Sequence, residues 1–259
     1  MITTDRIIDI QKDAAALFDR YKDIYSTVMD EKYNDAEAIW CRGWRGPYEP
    51  DFADEMIMGN IYSAREALHN KPRKKEYVSA FYFRDGRPVR AHLIGKAGEI
   101  IADRIYMCEE NRTVGIAFCR NWDVFGLTEE VRDEKGRPVS YMVYERDRAG
   151  GEIYNERTKK LLTIRYSEYS YDDSDRIVKA VYLNGVTPDT NDLRKGWLLN
   201  STEGNLSDLY FTYTDDGATY TRDDYNEQLE MIQYENDPGW KFPAWLLRRY
   251  QKLGIGYFG

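Results

Sequence analysis

Tyr77-Val78-Ser79-Ala80-Phe81-Tyr82-Phe83, followed by Arg84-Asp85-Gly86-Arg87 and then by Val89-Arg90-Ala91-His92-Leu93-Ile94, is the stretch from which the fold can be read. Within each seven- or six-residue arm the residues change character with a period near two, the repeat of a strand whose side chains leave alternate faces. Asp85-Gly86 between the arms supplies the positive φ angles of a tight hairpin. Pro88 has no N–H to give to a ladder, so it belongs at the start of the return strand or on an edge. The same reading continues along the chain. Further strands are expected at about 99–108, 113–120, 139–146, 151–156, 161–171, 176–183 and 208–214. Gly98, Asn111, Gly136, Gly150-Gly151, Asp172-Asp173-Ser174-Asp175, Gly185 and Asp215-Asp216-Gly217 fall between them as turns.

Outside this region the period changes. Ile7, Ile10, Ala14, Leu17, Phe18, Tyr21, Ile24, Tyr25 and Val28 recur at three- and four-residue steps, which predicts an amphipathic helix over 4–30 with Thr4 as its cap. A second helix is expected at 53–68, after a loop marked by Gly43, Gly46, Pro47 and Pro50. Tyr225, Leu229, Ile232 and Gln233 suggest a helix over 222–235, and a short one follows at about 242–253. The fold class expected is α+β: a large antiparallel sheet, a meander of hairpins, flanked by N-terminal and C-terminal helices. The parts are a helical segment 1–72 packed on the sheet, the sheet itself at 73–221 and helices at 222–259, together one structural domain.

The hairpin turns resemble one another. Phe81-Tyr82-Phe83-Arg84-Asp85-Gly86, Tyr169-Ser170-Tyr171-Asp172-Asp173-Ser174-Asp175 and Phe211-Thr212-Tyr213-Thr214-Asp215-Asp216-Gly217 are three versions of one pattern, and Gly86-Arg87-Pro88-Val89 recurs as Gly136-Arg137-Pro138-Val139. Either the hairpins are a repeat, or similar turns meet the same need independently; the uneven spacing fits no propeller or solenoid period. The Tyr-x-Tyr-Asp and Tyr-Thr-Asp-Asp-Gly turns resemble the hairpin repeats of bacterial YD-repeat proteins around 169–177 and 211–220, and more weakly at 81–89 and 132–139. The long arrays of that family are missing, so the resemblance implies a hairpin sheet and no toxin shell.

The aromatic content, 22 Tyr, 9 Phe and 6 Trp in 259 residues, compensates for a modest apolar share of 42% and makes a core attainable. Residues 201–240 hold ten acids against Arg222 alone, a local charge of −9 beside −8 for the whole chain. That field argues against nucleic acid or an anionic membrane as partner and suits a basic protein; it also suits a solvated face that keeps the chain in solution. No run reaches the length and hydrophobicity of a membrane helix, and no basic region followed by an apolar one opens the chain, so a cytoplasmic protein is expected. Three cysteines, Cys41, Cys108 and Cys119, are read as reduced thiols.

Catalytic and cofactor signatures are missing. His69 and His92 each stand alone, with no cysteine at metal-ligand spacing, and His92 reads as a structural histidine on a strand. Asp172-Asp173-Ser174-Asp175 lacks the glycine and the distal glutamate of a calcium loop. No phosphate loop, dinucleotide fingerprint or nucleophile elbow occurs, so no cofactor is expected. Trp40, Trp44, Tyr48 and Phe52 recur every four residues between charged neighbours, either as an aromatic platform for a partner or as a cover for one end of the sheet.

These features point to a protein-binding protein without enzymatic activity. The residues expected to meet a basic partner are Asp215, Asp216, Asp223, Asp224, Glu227 and Glu230, with Trp40, Trp44 and Tyr48 as aromatic contacts. By overall type the chain resembles the small acidic cytosolic immunity proteins found beside polymorphic toxins, a likeness that carries no residue with it and implies a basic toxin as partner. The competing reading is an enzyme or binder acting on carbohydrate or another polar small molecule through tyrosines and carboxylates in a sheet cleft.

Overall fold

The computed structural model describes residues 2–21, 23–24, 35–42, 53, 67–68, 77–119, 124–146, 161–188, 198–199, 206–215, 217–225, 229–235 and 241–243. Among them lie the helix α1 (Thr4–Tyr21) and fifteen strands in one sheet. The strands are β1 (Glu37–Arg42), β2 (Ala67–Leu68), β3 (Val78–Arg84), β4 (Arg87–Ile94), β5 (Ile100–Cys108), β6 (Arg112–Cys119), β7 (Val124–Arg132) and β8 (Pro138–Arg146). The remainder are β9 (Leu161–Tyr171), β10 (Ile177–Pro188), β11 (Leu198–Leu199), β12 (Leu206–Thr214), β13 (Gly217–Tyr225), β14 (Met231–Glu235) and β15 (Lys241–Pro243). The order across the sheet is β14-β13-β12-β10-β9-β8-β7-β6-β5-β4-β3-β1-β2, with β11 paired to β10 and β15 to β13. From β3 to β10 each strand pairs antiparallel with the next in sequence, the meander that the period-two stretches predict. No helix among the described residues is long and apolar enough to cross a membrane.

The turns hold this meander through side chains as well as through the ladder. Asp85 and Gly86 both take positive φ, 51° and 74°, the two-residue hairpin that Asp-Gly favours. The β7–β8 and β9–β10 turns repeat each other atom for atom. The Asp133 carboxylate accepts from the backbone N–H of Lys135 and of Arg137 at 3.0 and 2.9 Å and from Arg137 Nε at 2.8 Å. Asp172 accepts from the N–H of Ser174 and of Arg176 and from Arg176 Nε, each at 2.9 Å. Gly136 and Asp175 take the left-handed position at φ 79° and 62°. Each turn is then tied to the next hairpin: the Tyr171 hydroxyl donates to Pro138 O at 2.6 Å and the Tyr213 hydroxyl to Ile177 O at 2.7 Å. Cys108 Sγ stands in the corresponding place, 3.4 Å from Pro88 O. The likeness of the turns in sequence is thus a shared geometry.

Both faces of the sheet are buried over its middle. In β8, Tyr141, Met142, Val143 and Tyr144 are successive and all between 3% and 5% exposed, which a one-sided sheet does not allow. One face carries α1. Thr3 caps that helix, its Oγ1 accepting from Arg6 N at 3.2 Å, so the cap lies one residue before the one the sequence suggested. Ile7, Ile10, Ala14, Leu17, Phe18 and Tyr21 pack on a belt that includes Ile105, Ile116, Leu127, Met142, Tyr144, Ile164, Tyr166, Leu183, Leu206 and Tyr225. Each large side chain buried there contributes about 1.5–3 kcal/mol. The Phe18 ring meets Tyr144 at 5.8 Å, and the Arg6 guanidinium donates to the Tyr166 hydroxyl at 2.6 Å. The other face has its own cluster, with Tyr141, Val143, Tyr169, Ile177, Tyr182, Leu209 and Phe211, and the helical residue Ala53 belongs to it.

Several expectations are corrected. The N-terminal helix ends at Tyr21, where Ile24 N bonds Tyr21 O at 3.1 Å and closes a turn, although 4–30 was the expected range. Ala67–Leu68, the expected end of a second helix, is a strand against β1, and β1 itself lies where mixed sequence was expected. The strand β7 had no counterpart in the reading, because Thr128 and Glu130 are buried in it and hide its alternation. The predicted helix over 222–235 is not formed at Arg222–Tyr225 or Met231–Glu235, which are strands β13 and β14. Nine register pairs with β12 outweigh the four-residue spacing of a few apolar residues. Lys241–Pro243 is also a strand, where the last helix was expected to begin; the rest of that helix and the strand at 151–156 fall outside the described residues. The sheet therefore runs through the change of element type expected after residue 221, since β13 spans it.

Candidate partner-binding surface

The register across β9, β10, β12 and β13 decides where the acidic residues go. Glu168 faces Val181, Val181 faces Asp208, and Asp208 faces Asp223. This row lies next to Tyr166–Leu183–Leu206–Tyr225, the belt under α1, and shares its face. Two carboxylates directly opposite each other repel. Asp208 is offset by Lys179, whose Nζ donates at 2.9 Å, and accepts from the Tyr210 hydroxyl at 3.2 Å. Asp223 Oδ1 is shut off from solvent without a hydrogen-bond partner.

The tyrosines register this charge. Burial, with Asp208 and Asp223 adding to it, pushes the Tyr225 hydroxyl up to about 12. Burial and Asp208 raise that of Tyr210 as well. Burial and Glu168 push Tyr166 up to about 12 against the opposing Arg6. Burial works against the charge on Lys179, but its hydrogen bond to Asp208 prevails and holds it above the ordinary lysine range. Tyr210 nonetheless keeps 38% of its surface exposed, with Lys179 Nζ 5.2 Å from its ring centre.

The surface grows by helix α1. Asp5, Asp9 and Asp13 follow at four-residue steps and are all exposed, so they form one outward stripe. Arg6 lies 5.3 Å from the Tyr166 ring centre and joins this stripe to Glu168 through Tyr166, whose hydroxyl donates to Glu168 at 3.3 Å.

The residues expected from sequence do not gather into one patch. Asp223 belongs to the row just described, whereas Asp224, its neighbour in a strand, leaves the opposite face. There Asp224 accepts from Ser207 Oγ at 2.5 Å and from Arg222 Nε at 2.6 Å. Asp215 is exposed in the β12–β13 turn, and Glu230 is exposed just before β14. Asp216, Glu227, Trp44 and Tyr48 fall outside the described residues. Trp40 is half-buried on β1, with nine strands between it and β13 in the sheet order, so the acidic and aromatic candidates form separate regions. Asp208, Glu168 and Tyr210 share this face and were not among the residues singled out from sequence. Their only signal in sequence was alternation with the core positions of their strands.

The second concentration of charge is buried. Trp40, Ala80, His92, Asp103 and Phe118 follow one another in register across β1, β3, β4, β5 and β6. Asp103, 1% exposed, accepts from Arg90 through Nε at 2.9 Å and through a second guanidinium nitrogen. His92 Nε2 lies 3.5 Å from Asp103, and the His92 ring meets Tyr82 edge-on at 5.3 Å. Burial lowers the pKa of His92, and Arg90 adds to this while Asp103 opposes it. The arrangement anchors β4 to β5 and leaves little access for a substrate. Among the described residues no three His, Cys, Asp or Glu side chains come together as metal ligands.

Among the described residues, the fold is an antiparallel hairpin meander with the amphipathic helix α1 packed on one face. Comparison with family models, with curated proteins and with solved structures yields no match to the chain.

Proposed function

We propose that the protein binds a basic protein partner without enzymatic action, in its concrete form as an immunity protein that neutralises a basic toxin in the cytoplasm. The observation that carries this reading is the row Glu168–Asp208–Asp223 beside the exposed Tyr210, continued by the outward aspartates of α1. A Lys or Arg side chain presented to this face meets the exposed carboxylates of Glu168 and of α1, while Asp208, 2% exposed and bonded to Lys179, adds to the field from beneath. Opposed charge speeds encounter and selects partners more than it deepens affinity.

The gene directly upstream supplies the test. Its product is expressed, and its association with this chain is followed at low and high salt. Reversal of Asp215 and Asp223 to lysine is expected to slow association about tenfold at low salt and to flatten its salt dependence. An upstream product that does not bind, or an association rate indifferent to the reversals, removes the reading.

A further inference from the structure

We infer that helix α1 is a strap that opens from the sheet as a unit of its own while the hairpin meander stays folded, and that Gln11 sets how readily it opens. Gln11 stands on the sheet-facing stripe of α1, one turn after Ile7 and one turn before Ala14, and is 2% exposed. Its amide oxygen and its amide nitrogen are both shut off from solvent without a hydrogen-bond partner. The rest of that stripe, Ile7, Ile10, Ala14, Leu17, Phe18 and Tyr21, is aliphatic or aromatic. A buried amide that bonds nothing has given up its water without replacement, and it regains water when the helix lifts. The cost therefore falls on the docking of α1 and is relieved with every strand still paired.

Two further features point the same way. The ties of α1 to the sheet are uneven. In its first turn Arg6 donates to the buried Tyr166 hydroxyl at 2.6 Å, whereas in its last turn Arg20 stands 4.0 Å from Glu109, with both side chains more than half exposed, a pair that water weakens to little. The sheet, for its part, keeps its ladders without α1: every strand from β3 to β10 is paired on both sides, and the face turned away from α1 has its own apolar cluster. Most of a helix's stability in a protein comes from the packing of its apolar face, so leaving the sheet and losing the helix are one event. Opening uncovers the belt around Leu127, Tyr144 and Tyr166 and carries Asp5, Asp9 and Asp13 away from Glu168. The strap thus decides when the acidic surface is whole, and its opening does not depend on that surface having a partner.

Amide hydrogen exchange of the full chain at neutral pH tests this. The amides of residues 8–21 are expected to be protected about tenfold less, or weaker still, than those of β8 and β9 in the middle of the sheet. Gln11→Met keeps the length of the side chain and puts apolar atoms in place of the amide. It is expected to slow exchange across α1 about tenfold and to leave β8 and β9 as they were, whose protection also reports that the variant is folded. Equal protection of α1 and the central strands in the wild type overturns the inference, because α1 then opens only with the whole sheet. So does a Gln11→Met variant in which α1 exchanges as before, or in which α1 and the central strands slow by the same factor.

Discussion

The Arg137 guanidinium lies 4.4 Å from the centre of the Tyr171 ring, so the turn between β7 and β8 is clasped by the hairpin that follows it. Arg176 repeats the contact with Tyr213 at 4.8 Å, one hairpin further on. In both pairs the tyrosine hydroxyl also donates to the carbonyl of the residue after the arginine. Arg137 further bonds Asp175 of the next turn at 2.6 Å, and Lys135 reaches the same carboxylate at 2.9 Å.

This contact predicts that Tyr171→Phe, which keeps the ring and loses the hydrogen bond to Pro138 O, costs about 1 kcal/mol. Arg137→Ala is expected to lower stability, and Arg137→Ala with Tyr171→Leu is expected to cost less than the two changes added. Urea denaturation of the four members of that cycle checks it, and strict additivity would show the stack to be incidental.

Gly115 allows three side chains to close over β6. A Cβ there would stand 2.4 Å from Thr128 Oγ1, 3.1 Å from Tyr106 Cε1 and 3.3 Å from Arg104 Cδ. Gly115→Ala is therefore expected to destabilise by about 1–3 kcal/mol, with part of the loss recovered by adding Thr128→Ala, which removes the clashing oxygen. A fully stable Gly115→Ala variant, by thermal or urea melting, would contradict this packing.

Neighbouring aspartates are expected to behave in opposite ways. Asp224→Ala breaks the bonds from Ser207 and Arg222 and is expected to cost about 1–3 kcal/mol. Asp223→Asn relieves the repulsion from Asp208 and is expected to leave stability unchanged or to raise it by up to about 1 kcal/mol. Urea midpoints of the two variants at neutral pH decide between this and a merely acidic surface, on which both would act alike.

His92 makes stability sensitive to acid. Its pKa in the folded chain lies below the ordinary 6.5, chiefly through burial. The unfolded chain therefore takes up its proton first as pH falls, so the contribution is present above that value and is lost on the way down. The urea midpoint is expected to fall from about pH 7 to about pH 5, and His92→Gln is expected to flatten that part of the profile. A His92→Gln profile parallel to the wild type would assign the slope to other groups.

Arg90 and Asp103 form a buried pair in which each needs the other. Arg90→Leu leaves a carboxylate that is 1% exposed facing His92 alone, and is expected to cost about 3–5 kcal/mol. Joint replacement, Arg90→Leu with Asp103→Leu, is expected to restore much of that loss, as measured by denaturation.

What could be read in the sequence was what local chemistry dictates. Asp85-Gly86 and the period-two arms around it set a hairpin wherever that segment lies, and α1 needed only its apolar stripe and a hydroxyl near its start. Most strands from β3 to β10 were legible for the same reason. Where local signals conflict, the tertiary structure decides. The segment 222–235 carries a helical spacing of apolar residues, yet pairing of Gly217–Tyr225 with a finished β12 satisfies a whole row of backbone groups that a helix there would leave open on the sheet edge. That choice also divides the acidic segment. In a helix Asp223 and Asp224 would share a side of the chain, but in a strand the pleat sends them to opposite faces, one beside Asp208 and one into a bonded cluster. The row Glu168–Asp208–Asp223 exists because register aligns residues far apart in sequence, and register is a property of the assembled sheet.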